Sequence, residues 1–337
     1  MPRPRKQEDS LGLVQWIVRT AVFCVFYAGQ SVVLNFSQFL GLLLWPLPND
    51  FFKNYIIHTQ RCFGILLVSI NQFFAPSNFI VTTDKSAKDI IKITRNNSVK
   101  LELPERIILI ANHQGMQFFQ FIFLKRNWAV DKGPLTKQMT RFARSNDPLW
   151  LLIFPEGTIV SEETRVTSKK FADKTGLVDH KYVLLPRSTG LHFCKSALGK
   201  SIDYLYDLTI GLEGVSREIY PQDIYTLRSI YFEGKFPRNV HVHVRRYKIS
   251  EIPQDEDKFT IWLRDRWSEK DVMMEEFYKN GRFSSYESPR IVPMRLMNGF
   301  FELLQIWYFV IPLIPLLYYY SHTIFESISR GCFGDQE

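Results

Sequence analysis

The apolar run Ile107-Ile108-Leu109-Ile110-Ala111 leads straight into Asn112-His113-Gln114, and the next apolar run begins only a few residues on, near Phe118. A short apolar run ending in a polar cluster reads as a buried strand that delivers reactive groups to a sheet edge. Trp150 to Phe154, followed by Pro155-Glu156-Gly157-Thr158, has the same form. So does Tyr182 to Pro186, followed by Arg187. Phe118 to Leu124 reads as one more strand. Parallel strands need a crossover of about a dozen residues or more. The residues between Ala111 and Phe118 cannot supply one, so the spacing argues that a segment is missing between 114 and 115.

The rest of the chain alternates in the same way. Asp131 to Asp147 reads as a mostly helical stretch with a basic face of Lys132, Lys137, Arg141 and Arg144, suited to phosphates or anionic lipid or simply to solvent. Ser161 to Lys174 reads as a polar helix, and Ser188 or Thr189 is placed to cap the helix that follows. Tyr204 to Glu213 and Asn239 to Tyr247 read as strands. In the second, Val240, Val242 and Val244 alternate with His241, His243 and Arg245. The histidines are expected to be exposed, and with no third ligand at suggestive spacing no metal site is expected. Phe259, Trp262, Leu263 and Trp267 fall at helical spacing and predict a packing helix. The predicted class is α/β, a sheet flanked by helices.

Two uncharged stretches point to a membrane. Thr20 to Asn49 contains no charged residue, and a spanning helix needs about twenty apolar residues. Gln30, Asn35, Ser37 and Gln38 interrupt it, and Pro46 and Pro48 close it. In a second uncharged run from Cys62 to Thr83, Cys62 to Phe74 reads as a helix that Pro76 ends, either a span or an interfacial helix, and Phe79 to Thr83 reads as a short strand. Leu303 to Phe325 lacks Asp, Glu, Lys and Arg and carries Pro312 and Pro315, which predicts a kinked span or shallow hairpin, with Tyr318 to Tyr320 in an interfacial belt. The 28 phenylalanines agree with this. The net charge of +8 is spread along the chain without a nucleic-acid motif, which favours a lipid surface over nucleic acid. The four cysteines form no CxxC pair, so zinc and redox motifs are not expected. There is no G-x-S-x-G elbow and no phosphate-binding G-x-x-x-x-G-K-[ST] loop. The divisions that result are a basic tail over 1–19, membrane segments over 20–83, an α/β domain over 84–250, an amphipathic helical linker over 251–295, and a C-terminal membrane segment and tail over 296–337.

Taken together, Asn112-His113, the stretch Phe121 to Arg126, Phe154 to Thr158 and Leu184 to Arg187 resemble the motifs of the glycerolipid acyltransferases that acylate lysophosphatidic acid and other lysophospholipids. Gly115 to Phe119, Leu184 to Leu191 and Arg266 to Asp271, continuing into Phe277-Tyr278, resemble the lysocardiolipin and lysophosphatidylinositol branch. The resemblance implies a glycerolipid-acyltransferase-like sheet with N- and C-terminal membrane-embedded helices. It implies His113 as the catalytic base, and Arg126, Glu156, Gly157, Thr158 and Arg187 as substrate-binding residues. Acyl-CoA would be the co-substrate with no further cofactor, lysophospholipid and membrane lipid the partners, and the endoplasmic reticulum membrane the location, with the site facing the cytosol.

One position departs from the pattern. Five residues after His113, where the family has an Asp that holds the imidazole, stands Phe118. The chain as written is therefore expected to have little or no transferase activity, either as an inactive lipid- or partner-binding membrane protein or as an incomplete version of an active enzyme. Arg3, Arg5, Lys6 and Arg19 favour a cytosolic N-terminus. Asn96-Asn97-Ser98 is a glycosylation sequon that only a lumenal face would use. With the site on the cytosolic face, Asn96 carries no glycan in cells. An endoglycosidase-sensitive mass shift that disappears in Asn96→Gln would overturn that orientation.

Overall fold

The computed structural model describes residues 12–42, 51–94, 99–113 and 128–293, with shorter stretches between 295 and 323. The tail before residue 12, the sequon Asn96-Asn97-Ser98, and Phe118 to Leu124 with Arg126 lie outside the described residues. The chain forms two compact units. One comprises residues 1–76, 231–234 and 294–337, and the other residues 77–230 and 235–293.

The first unit is a helical hairpin of α1 (Leu13–Gly41) and α2 (Phe51–Phe74). Leu13–Phe39 is long and apolar enough to cross a membrane, and it alone meets that description among the described residues. The polar residues that interrupt its apolar run have structural partners. Gln38 donates to Thr59 Oγ1 at 3.0 Å, and Trp307 donates to Gln30 Oε1 at 3.1 Å. Tyr55 donates to the Ser37 carbonyl at 2.8 Å. A Cβ at Gly41 would lie 2.6 Å from the Tyr55 ring, so the helices meet where glycine leaves room. α2 carries Lys53 and Arg61. Of the apolar run Leu303–Phe325, Pro312 and Tyr320 are among the residues outside the description, and its N-terminal end belongs to a 3-10 helix, Gly299–Ile306.

The second unit is built on a six-stranded sheet of order β5-β4-β6-β7-β1-β8. Its strands are β1 (Asn78–Thr83), β4 (Arg106–Ala111), β5 (Leu149–Ile153), β6 (Tyr204–Leu212), β7 (Asn239–Lys248) and β8 (Arg290–Pro293). β2 (Ile91–Ile93) and β3 (Val99–Leu101) form a separate antiparallel pair. β4 runs parallel to both β5 and β6, so both its edges are occupied. β7 is antiparallel to β6, β1 is parallel to β7, and β8 is antiparallel to β1. Ile108 and Ile110 join one core cluster while Ile107 and Leu109 join another. Burial on both faces explains why β4 reads as an unbroken apolar run. The chain is thus a mixed α/β structure with a central sheet flanked by helices.

The helices of this unit are α3 (Trp128–Arg144), α4 (Glu162–Thr175), α5 (Ser188–Leu198), the short α6 (Pro221–Ile224) and α7 (Glu256–Asn280). Ser161 caps α4 in a reciprocal capping box with Thr164, and Gly176 ends it in the left-handed conformation at φ 67°. Asp255 caps α7 through Lys258 N–H, and Gly281 ends it at φ 70°. Phe259, Leu263 and Trp267 are fully buried on one face of α7. A Cβ at Gly211 of β6 would fall 2.8 Å from the buried Phe277 ring, so the missing side chain lets α7 approach the sheet.

Three expectations change. Tyr182–Pro186 is buried but is not a strand. Its polar backbone is served by side chains of α4 and α7, as described below, rather than by a neighbouring strand. Ser188 does not cap α5; that position is Arg187, without a side-chain cap, and Ser188 Oγ instead accepts from Thr260 Oγ1 at 2.7 Å. His241 and His243 are buried rather than exposed, because α7 and the segment after it cover that face. His241 meets the Phe277 ring at 5.1 Å, and His243 meets Phe283 at 6.0 Å. Burial pushes the His243 imidazole down to about 4. No group of residues suited to hold a metal ion is present among the described residues.

Gly211→Ala is expected to destabilise the protein by about 1–3 kcal/mol, because the buried Phe277 ring cannot move aside without repacking. Denaturant unfolding measures this, and an unchanged midpoint would show that α7 does not seat on β6 at that glycine.

Candidate active site

The register of the sheet sets the ends of β4 and β5 level, while β6 runs on to Leu212. Ile110 pairs with Ile153 of β5, and Ala111 pairs with Leu208 of β6. Asn112-His113 and Phe154-Pro155-Glu156 therefore leave the sheet side by side. Asn112 extends the ladder with its side chain. Its Nδ2 donates to the Ile210 carbonyl at 3.0 Å, and its Oδ1 accepts from the Ile210 N–H at 2.7 Å. This pair of bonds satisfies a buried amide and fixes where His113 departs. The His113 ring packs on Phe154 at 4.6 Å, and its carbonyl accepts from Val160 N–H at 3.3 Å.

Glu156 is 3% exposed. Gly157 N–H closes the turn on the Phe154 carbonyl at 2.9 Å, with Gly157 at φ 72°, a conformation that favours glycine. Arg187 N–H donates to the Pro155 carbonyl at 2.8 Å, and its side chain passes about 3.9 Å from where a Gly157 Cβ would stand. His113, Glu156, Gly157 and Arg187 are thus brought to one end of the sheet. Thr158 follows in the same turn. Arg126 lies outside the described residues.

Trp267 of α7 donates its indole N–H to Glu156 Oε1 at 3.2 Å. The other oxygen, Oε2, makes no hydrogen bond of ordinary geometry among the described residues. Burial pushes the Glu156 carboxyl up to about 7, while the Trp267 donor, the backbone N–H groups of Leu184 and His113, and the Lys270 ammonium pull the other way. Burial wins because a carboxylate loses more hydration than these donors return.

Behind Glu156 lies a buried charge cluster. Asp207 of β6 pairs with Arg245 at 2.6 Å and with the fully buried Lys270. Lys270 also donates to the Leu208 carbonyl at 2.6 Å and Thr209 Oγ1 at 3.2 Å, and burial holds its ammonium down at about 8. Arg245 reaches Glu269 as well. Asp271 accepts the backbone N–H groups of Lys181, Tyr182 and Val183, at 2.9, 2.6 and 3.2 Å. Arg165 of α4 donates to the Val183 carbonyl at 2.8 Å and Ser168 Oγ accepts from Leu185 N–H at 3.4 Å. These side chains hold the segment that carries Leu184 to Arg187.

Trp267, Lys270 and Asp271 did not emerge from the sequence as site residues. One sign was present: Lys270 interrupts the apolar stripe of Phe259, Leu263, Trp267 and Met274, where a charge needs a buried partner.

A family model described as "Acyltransferase C-terminus" matches residues 231–301, which include α7. An uncharacterized acyltransferase of Schizosaccharomyces pombe is 32% identical over 303 residues, covering 79% of this chain and 87% of that protein. The 2-acyl-1-lysophosphatidylinositol acyltransferase of Saccharomyces cerevisiae is 32% identical over 343 residues, covering 77% of this chain and 86% of its own. Lysocardiolipin acyltransferase 1 of Gallus gallus is 35% identical over 181 residues, covering 53% and 46%. No solved structure matches this chain.

A carboxyl protonated in the fold up to about 7, against 4.5 ordinarily, contributes stability that is complete below 4.5 and is lost as pH rises through 7. Glu156→Gln is expected to flatten the fall in unfolding free energy between about pH 4.5 and 7. An unchanged slope in that variant would show that Glu156 titrates as an ordinary surface carboxyl.

Proposed function

This chain belongs to the lysophospholipid acyltransferase family, a family of O-acyltransferases, and from that premise we propose that it transfers a fatty acyl chain from acyl-CoA to a lysophospholipid. The observation that carries this reading is Glu156: a buried carboxyl beside the strand end that presents His113. The relatives named for lysophosphatidylinositol and lysocardiolipin support a lysophospholipid acceptor. We assign lysophosphatidylinositol first, with lysocardiolipin and lysophosphatidic acid as competing acceptors in the test.

In this reaction His113 takes the proton of the acceptor hydroxyl as its oxygen attacks the thioester carbonyl. The new C–O bond forms, the C–S bond breaks, and coenzyme A leaves as its thiol with that proton. Glu156 orients Arg126 or the acceptor hydroxyl. Arg126 and Arg187 take the acceptor phosphate, for which a planar guanidinium offers two parallel donors. The Gly157 turn admits the substrate close to the backbone. The reaction is placed at the endoplasmic reticulum membrane, facing the cytosol where acyl-CoA is made. Leu13–Phe39 supports the membrane assignment.

A second reading is favoured by Phe118, which stands where the family has its Asp. In a serine protease, loss of the aspartate that orients the histidine costs about 10⁴ in turnover. The alignment with the Schizosaccharomyces relative runs over 303 residues while taking in 79% of a 337-residue chain, so that relative carries residues that this chain lacks. On this reading the chain as written inserts in membranes and binds lipid but transfers little or nothing, and a longer version is the enzyme.

The test expresses the chain unaltered in cells lacking the endogenous enzyme and assays microsomes with labelled acyl-CoA and the three lysophospholipids. Transfer abolished by His113→Ala establishes the first reading, and absence of transfer at equal expression establishes the second. In an active version, Arg126→Ala is expected to weaken apparent acceptor affinity by about 1.5–3 kcal/mol without a matching change for acyl-CoA. An unchanged acceptor affinity would remove Arg126 from the phosphate site.

A further inference from the structure

We propose that one turn of α7, made of Trp267, Lys270 and Asp271, is the positioning element of the acyl-transfer site, holding the Glu156 carboxyl and the 181–186 segment in register with His113. The inference rests on the reading of this site as the acyl-transfer centre. The three residues sit at i, i+3 and i+4, so they share one helical face. Each contacts a different part of the site's frame. Trp267 donates to Glu156 Oε1 at 3.2 Å. Lys270 binds the middle of β6 through Asp207, Leu208 and Thr209. Asp271 gathers three successive backbone N–H groups of the segment that leads to Arg187.

A helix that served only to fill the core would have no use for these groups. An apolar stripe of Phe259, Leu263 and Met274 already seats α7 on the sheet. Burying a Lys and an indole N–H beside a carboxyl instead costs desolvation unless every partner is in place. The consequence is geometric coupling. Trp267 holds one Glu156 oxygen and the backbone N–H groups of Leu184 and His113 also reach the carboxyl, so its direction follows α7 together with the segment that Asp271 holds. The charged group facing Glu156 is Lys270 from α7, with Asp207 of β6 and Arg245 of β7 behind it, while His113 meets the carboxyl through its backbone N–H. The Trp267 donor favours the ionised carboxylate, so its loss moves the Glu156 titration to higher pH.

The test uses the full chain in lipid nanodiscs with 15N-labelled tryptophan indoles. The Trp267 signal is identified by its loss in Trp267→Phe, or by its response to Glu156→Gln if Trp267→Phe does not fold. The proposal expects that signal to move with pH about a midpoint near 7 and to stop moving in Glu156→Gln. It also expects Asp271→Asn to speed amide exchange at residues 181–183 while the Trp267 signal stays in place. A Trp267 signal insensitive to pH, or equally sensitive in Glu156→Gln, overturns the coupling. Where transfer is measurable, the acid limb of the pH–rate profile should shift upward by about 0.4–1 pH unit in Trp267→Phe; a drop in rate with an unmoved limb reduces Trp267 to packing. Absent transfer in the unaltered chain removes the acyl-transfer reading alone, since the indole measurement is independent of turnover.

Discussion

Asp207 sits at the centre of the sheet with no access to water, and the protein can afford it only because Lys270 and Arg245 are buried against it. Each of these ions would cost several kcal/mol of desolvation if left alone. The requirement is mutual: the aspartate belongs to β6, the arginine to β7 and the lysine to α7. Satisfying all three fixes where the helix crosses the sheet. Gly211 lets it come close enough, and Phe277 then fills the space where a side chain would stand. The placement of α7 is thus set by electrostatic necessity as much as by its apolar stripe.

That placement reaches the site through neighbouring residues of the same helix. With Lys270 held on Asp207, Trp267 falls beside Glu156 and Asp271 falls beside the 181–183 backbone. Burial then decides the chemistry of Glu156. A carboxyl that titrates at about 7 is shared between its neutral and charged forms near physiological pH. The same burial turns His241 and His243 into neutral packing residues, removing the one pair that resembled the start of a metal site.

In the first unit the balance is different. Glutamine, serine and asparagine in α1 weaken its apolar character, yet Gln30 and Gln38 have hydrogen-bond partners within that unit. Polar groups bonded between helices are compatible with an apolar surround, because they no longer need water. The helix therefore keeps enough apolar length to cross a bilayer while carrying specific contacts to its neighbours.

Much of this was legible in the amino-acid order. β4, β5, β6 and β7 announced themselves by apolar runs or alternation, since a strand buried in a sheet must be apolar along its length or on one side. Asn112-His113 and Phe154 to Thr158 stood out because a polar cluster directly after such a run has few structural reasons to be there. Tyr182 to Pro186 showed the limit of the same rule: a buried run looks identical whether its backbone bonds to a strand or to Arg165, Ser168 and Asp271, which lie far away in sequence. The face on which His241 and His243 would be covered was equally hidden, because alternation gives two faces and only the docking of α7 chooses between them. Sequence order alone determined β4, β5, β6 and β7, the apolar helix and the polar groups at strand ends. The tertiary structure decided which of those groups lost their water, and with it the charge and direction of Glu156, because desolvation depends on what packs around a residue and not on its neighbours along the chain.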